Sequence, residues 1–307
     1  MEEALDAIHA APRRTLRVIA GVAAVAAVVV YELAVRTAWG QRLDATALSG
    51  RRELRARAVH AAARLLTTID VAALLFLGGA IVLVALLRAR PRLAFGAGCV
   101  IAGSILTTEV LKRVVLTRPN FGIVDALHGS QTYPSGHTTV AMSLGSAALL
   151  VAPERWRTPV GLAGAAYASG IGVAVVATAN HRPSDPIGAA LVVTVWAAVI
   201  AAMLAEPDRP ARGAGGRSSS SRAGVIPWIA LAALGLLVVA FVGLAATVVA
   251  IRSNRLHTVE LGGAFAASAT AIAGTIMLAT AALLMVLRGV ALDRPRTHMR
   301  AWNESES

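Results

Sequence analysis

The stretch VGLAGAAYASGIGVAVVATA at residues 160–179 runs into NHRPSDP at residues 180–186 and then into IGAALVVTVWAAVIAAMLA at residues 187–205. A helix needs about 20 mostly apolar residues to cross the hydrocarbon core of a bilayer, and both apolar runs have that length. In lipid the backbone N–H and C=O groups must be satisfied inside the segment, so both runs read as helices. The short joint turns the chain straight back and makes the pair a hairpin. It carries His181, Arg182, Ser184 and Asp185, and titratable groups at the end of a span call for a function or a partner.

The same pattern extends in both directions. Upstream lie apolar runs at residues 18–35, 71–87, 93–111 and 138–152, and downstream at 225–251 and 261–287. The 138–152 run is short and is expected to begin a turn earlier, near Ser135. The fold class is therefore all-α, a polytopic integral membrane protein with a six-helix core at residues 1–205. The Gly/Ser/Arg-rich segment ARGAGGRSSSSRAG falls within residues 206–224, which have the composition of a flexible linker. A two-span C-terminal extension and tail fill residues 225–307. The first run is too long for a signal-peptide core and follows Glu2, Glu3 and Asp6, so it is expected to be retained as a helix. Between the first two runs, residues 51–66 alternate basic and apolar residues at near-helical spacing, the pattern of an interfacial helix.

Composition agrees with this reading and excludes others. Of 307 residues, 56% are apolar, 15% charged and 4% aromatic, and mean hydropathy is +0.66. Soluble domains are about 45–50% apolar and about 25% charged. The net charge of +12 does not point to nucleic acid, because the basic residues fall in short clusters flanking the apolar runs, where they meet lipid headgroups. The single cysteine, Cys99, has no partner in the chain and reads as a small apolar residue in a helix. Lys112 is the only lysine among 29 basic residues.

Three polar clusters stand at span ends. Glu109, Lys112, Arg113 and Arg118-Pro119 close the third span, Tyr133-Pro134-Ser135-Gly136-His137-Thr138 opens the fourth, and His181 to Pro186 joins the fifth to the sixth. Counting crossings puts all three on one side of the membrane. Ser135 is a good N-cap, and the free N–H groups that follow, with Gly136 allowing close approach, suit an anion. His181 and Asp185 are four residues apart, a spacing at which a carboxylate can hold an imidazole nitrogen. Asp185, just before Pro186, is also expected to cap the sixth helix. Two imidazoles, a carboxylate and at least two cations on one face suit phosphoryl transfer.

These residues resemble the signatures of the type 2 phosphatidic acid phosphatase superfamily, which also includes glucose-6-phosphatase and the vanadium haloperoxidases. The signatures are a lysine followed by Arg-Pro, then Pro-Ser-Gly-His, then Ser-Arg followed by His-x-x-x-Asp. The resemblance implies that His181 is the nucleophile, Asp185 its orienting partner and His137 the general acid. It implies that Lys112, Arg118, Ser135 and Gly136 hold the phosphate. Two departures stand out. Five residues separate Lys112 from Arg118 where the family has six, and because Arg118 precedes a proline the helix is expected to end near Thr117. The family's Ser-Arg falls on Ala174 and Val175, so one cation is missing, and Arg182 and Arg113 are the candidates to replace it.

A metal centre at His137, His181 and Asp185 lacks the extra carboxylates that hydrolytic metal sites recruit, so no metal and no cofactor is expected. Glu109 is expected to be structural, and His9, His60, His128, His257 and His298 read as loop or tail residues. The expected partners are a lipid phosphate substrate and membrane lipids, not nucleic acid. The substrate is expected to be a phosphomonoester or pyrophosphate of a lipid, with polyprenyl phosphates or diphosphates, phosphatidate and phosphatidylglycerol phosphate all compatible. A lipid phosphotransferase and an inactive scaffold of the same fold are the alternatives. Sixteen basic residues fall on the side of the termini and 13 on the catalytic side, which favours a cell membrane protein with termini inside and its active site outside the cytoplasm.

Overall fold

The computed structural model describes residues 12–205, 225–288 and 290–292. The expected linker at 206–224 and the tail from 293 onward lie outside the described residues. Among those described, each expected apolar run is a helix. The elements are α1 (Pro12–Val30), extended by one π turn at Tyr31–Val35, α2 (Ala38–Ser49), a 3₁₀ turn (Gly50–Glu53), and α3 (Ala56–Leu66). Then follow α4 (Val71–Leu87), α5 (Pro91–Val110) with a π turn at Leu111–Val115, α6 (Gly136–Val151), α7 (Glu154–Ala177) and α8 (Ser184–Leu204). A hairpin of α9 (Val225–Arg252) and α10 (Thr258–Val286) completes the chain. The protein is an all-α, multi-pass membrane protein: among the described residues, six helices are long and apolar enough to cross a bilayer by themselves.

The two remaining runs fall short of a full span for separate reasons. The α4 helix meets α3 at a 58° bend, and Asp70 caps it by accepting the Ala73 N–H at 2.6 Å. The α6 helix has only 16 residues, but it is enclosed by α5, α7 and α8, so it is shielded from lipid. At the α6–α7 crossing, a Cβ on Gly145 or Gly164 would stand 3.0 or 2.8 Å from the other glycine's Cα, so small residues set the backbone separation. The α8 helix runs through the centre, while α1 and α9 present Val22, Val25, Phe241 and Val242 outward.

Within residues 51–66, where an interfacial helix is expected, lies α3, which is amphipathic and has no buried residue. Sequence reasoning did not anticipate α2. At the end of the bundle away from the three polar clusters, arginines take up helix C-terminal carbonyls. Arg13 donates to Ala205 O at 2.7 Å, Arg88 to Val151 O at 2.7 Å, and Arg157 to Leu287 O and Val290 O at 2.6 and 2.9 Å. Cations there complement the negative end of the helix dipole, and they tie α1 to α8, α4 to α6 and α7 to α10.

Candidate active site

The helix carrying Lys112 ends before the proline at 119, slightly earlier than the expected end near Thr117. The π turn stops at Val115 and Leu116 is extended. Tyr31 pins the strand that follows: its hydroxyl donates to Thr117 O at 2.7 Å and accepts the Thr117 N–H at 3.0 Å. Gln41 Nε2 donates to Pro119 O at 2.9 Å. Arg118 is thus held between two anchored neighbours.

Ser135 caps α6 as expected, accepting from Thr138 N at 3.4 Å and Thr138 Oγ1 at 3.1 Å. Tyr133 lies in a pocket of α1 and α8, its hydroxyl donating to Ala27 O at 2.8 Å, and a Cβ on Gly188 would overlap its ring. The α6 start is joined to the α8 start through the backbone, Ser135 N–H to Asp185 O at 3.0 Å.

The turn that presents His181 is built on the end of α7. Val175 O accepts both the Asn180 N–H at 2.8 Å and the His181 N–H at 3.1 Å, with Ala179 at φ +58°. A left-handed alanine costs roughly 1–2 kcal/mol, which these bonds offset. The Val175 side chain, where the family carries arginine, is fully buried among Ala141, Ala168 and Ile171.

The clusters converge. His181 Nδ1 donates to Asp185 Oδ2 at 3.0 Å, an assignment that follows from a carboxylate acceptor, and this leaves Nε2 free of that tie. The His137 and His181 rings are 6.4 Å apart at 74°. Both line a cavity of about 370 Å³ with Lys112, Gly136, Glu109 and Asp70, whose remaining wall is Thr108, Thr139 and the apolar Ile69, Val71, Leu74, Ile105 and Val140. Lys112 Nζ sits 3.6 Å from where a Gly136 Cβ would be and pairs with Glu109 at 3.3 Å. Asp185 and His181 are almost wholly buried, at 1% and 8% exposure.

The other expected phosphate ligands are engaged elsewhere. Arg113 is 77% exposed and pairs with Glu109 at 2.7 Å. Arg182 is fully buried; Nε and Nη2 grip Asp125 at 2.7 and 3.0 Å, and Nη1 donates to Ser130 O and Thr132 Oγ1 at 2.8 and 3.0 Å. Its guanidinium holds the 125–132 loop to the turn at residues 180–186. Asp185 is not the cap of α8: the helix starts at Ser184, and the carboxylate turns back to His181 and to the Arg182 N–H at 3.0 Å.

That capping bond comes from a residue the sequence did not single out. Asp44 of α2 accepts the Ser184 N–H at 3.2 Å and the Ser184 hydroxyl at 2.6 Å. Burial lifts its carboxyl to about 7, the Asp185 charge acting in the same direction. Asp125 was likewise not singled out; burial pushes its carboxyl up, but the Arg182 bonds and charge outweigh this and hold it below the usual range. Arg118 is half-buried, and burial and the Arg182 charge lower its pKa against the opposing charges of Asp44, Asp125 and Asp185. A buried arginine in a catalytic turn requires a carboxylate, and that requirement was the available signal for Asp125. Among the described residues, no group of three or more His, Cys, Asp or Glu side chains is placed to hold a metal ion.

An all-helical membrane bundle with a His–Asp pair facing a second histidine and a lysine defines the class of the site. Residues 93–209 match the model of the PAP2 superfamily. The match spans α5 to α8, every residue expected in the site, and neither α1–α4 nor the α9–α10 hairpin. No curated protein and no solved structure matches the chain.

Proposed function

We propose that the protein hydrolyses a phosphomonoester or pyrophosphate carried on a lipid, through a phosphohistidine at His181. The observation that carries this reading is the Nδ1 bond of His181 to buried Asp185, with His137 beside it in a cavity whose other wall is mostly apolar. Held by Asp185 in the Nδ1–H tautomer, His181 directs the Nε2 lone pair at phosphorus. As the N–P bond forms, the P–O bond to the lipid breaks and His137, protonated, gives its proton to the departing oxygen. Neutral His137 then takes a proton from water, which attacks phosphorus and releases phosphate. Lys112, Arg118 and the first amides of α6 hold the phosphoryl oxygens, in line with a helix N-terminus and a cation acting together. Arg182 is left out of that set because its nitrogens serve Asp125, Ser130 and Thr132, and Arg113 because it is 77% exposed and does not line the cavity.

The apolar wall favours a substrate whose tail stays in lipid. Metal independence is part of the proposal, since the positive charge at the phosphate comes from side chains and amides. The cell membrane, with the active site outside the cytoplasm, is the proposed location. Phosphate release by the purified protein from a panel of lipid phosphates, with and without chelator, tests the reading. Turnover that survives chelation and falls at least 10²-fold in His137→Ala is expected, the loss typical of a positioned acid. Turnover that vanishes on chelation and returns with metal would contradict it.

A further inference from the structure

The segments that lie outside the family match converge on the catalytic turn. The first helical residue of α8, Ser184, follows Pro183, whose side chain offers no capping oxygen. Asp44, 140 positions away, supplies both acceptors, for Ser184 N–H and for its hydroxyl, and is only 6% exposed. The next residue, Asp185, is the one that orients His181. The same helix, through Gln41, holds the carbonyl of Pro119 beside Arg118. Thus α2 bridges both sides of the site from the N-terminal part of the chain.

The C-terminal hairpin in turn holds α2. A Cβ on Gly50 would overlap Leu261 O in the first turn of α10, so backbone packs on backbone there. Leu48 and Phe265 share one buried cluster. Trp39 lies between two guanidiniums, Arg42 of its own helix at 5.6 Å and Arg252 at the end of α9 at 5.4 Å.

We propose that Asp44 is a positioning residue for the His181–Asp185 pair, and that the α9–α10 hairpin takes part in the same reaction by clamping α2. The proposal rests on the phosphatase reading above. Asp44 touches no substrate; it fixes the turn whose carboxylate sets the imidazole. Its loss is expected to lower kcat and to leave KM nearly unchanged, because Lys112 and the α6 amides are untouched. A neutral side chain of the same shape should serve, since Asn can accept the Ser184 N–H and donate to its hydroxyl.

The test uses the purified full-length protein with two readouts, steady-state hydrolysis of a lipid phosphate and hydrogen exchange at the Ser184 amide. Asp44→Ala is expected to lower kcat about 10- to 100-fold, the order that a misplaced catalytic group costs, with KM within about twofold. Asp44→Asn should recover kcat to within about threefold. Ser184→Ala, which removes only the hydroxyl bond, should fall between them, and Gly50→Ala and Trp39→Ala should speed exchange at Ser184 without touching the site. Wild-type kcat or wild-type exchange in Asp44→Ala overturns the proposal, as does an Asn variant no better than Ala. Should Asp44→Ala fail to fold, Ser184→Ala decides by the same two readouts. If the unmodified protein turns over no lipid phosphate, the phosphatase reading fails, and the exchange rates then judge the clamp alone: faster supports it, unchanged overturns it.

Discussion

Asp44 sits at 6% exposure with three titratable or charged neighbours facing it: Asp185 of α8, Arg118, and Tyr133, whose own pKa rises from burial and then from the Asp185 and Asp44 charges. Its carboxyl titrates near 7 in the folded chain against an ordinary 3.8. Below about pH 4 both states hold the proton and nothing is lost. Between there and pH 7 the folded chain keeps a proton that the unfolded chain has released, so stability falls as pH rises and levels off above 7. Asp44→Asn removes this penalty. The variant is expected to match the parent in thermal stability near pH 4 and to exceed it increasingly up to pH 8. The gap between 3.8 and about 7 corresponds to roughly 4 kcal/mol as an upper measure. Melting curves across pH 4–8 check it; a parent protein that gains on the variant as pH rises would contradict it. His137, His181, Asp185 and Lys112 were legible in the sequence because their chemistry lies within short segments at span ends. Asp44 and Asp125 were not, because their partners are 140 and 57 residues away and no local spacing reveals such a pair. The roles expected of Arg182 and Arg113 rested on charge alone, which says nothing about which carboxylate reaches a guanidinium first.

At the scale of elements, hydropathy located all eight apolar helices, since each run carries its own backbone bonds and its own apolar surface. The α2 helix escaped notice because in QRLDATALS its buried positions include Gln41 and Asp44, polar residues that a hydropathy reading assigns to solvent. The arginine belt at the opposite end shows what the basic clusters do besides meeting headgroups. Arg157 is 7% exposed and joins the α7 start to the carbonyls at the end of α10. A charged donor of this kind contributes about 1.5–3 kcal/mol. Arg157→Ala is therefore expected to lower unfolding free energy by about that amount and leave kcat unchanged, the belt being at the far end from His181. Equal stability in denaturant titrations would show that the two carbonyls find other donors.

For the whole molecule, the PAP2 match at residues 93–209 covers every residue of the proposed site, while the proposed brace lies outside it. The bond from Arg13 to Ala205 O and the bridge between Ala205 and Leu292 bring residues 13, 205 and 292 together beside the arginine belt. In a Cys99→Ala background, His257→Cys in intact cells is expected to react with an impermeant thiol reagent, and a cysteine appended after Ser307 to resist it. The reverse pattern would turn the site toward the cytoplasm. The central claim is covalent: during turnover a phosphoryl group rests on His181. A rapid acid-free quench of the purified protein with a radiolabelled lipid phosphate, followed by peptide mapping, tests it most directly. The account predicts an acid-labile, base-stable label on the peptide containing His181 in the parent, and neither label nor turnover in His181→Ala. Normal turnover by His181→Ala, or a label that maps to another residue, would contradict it.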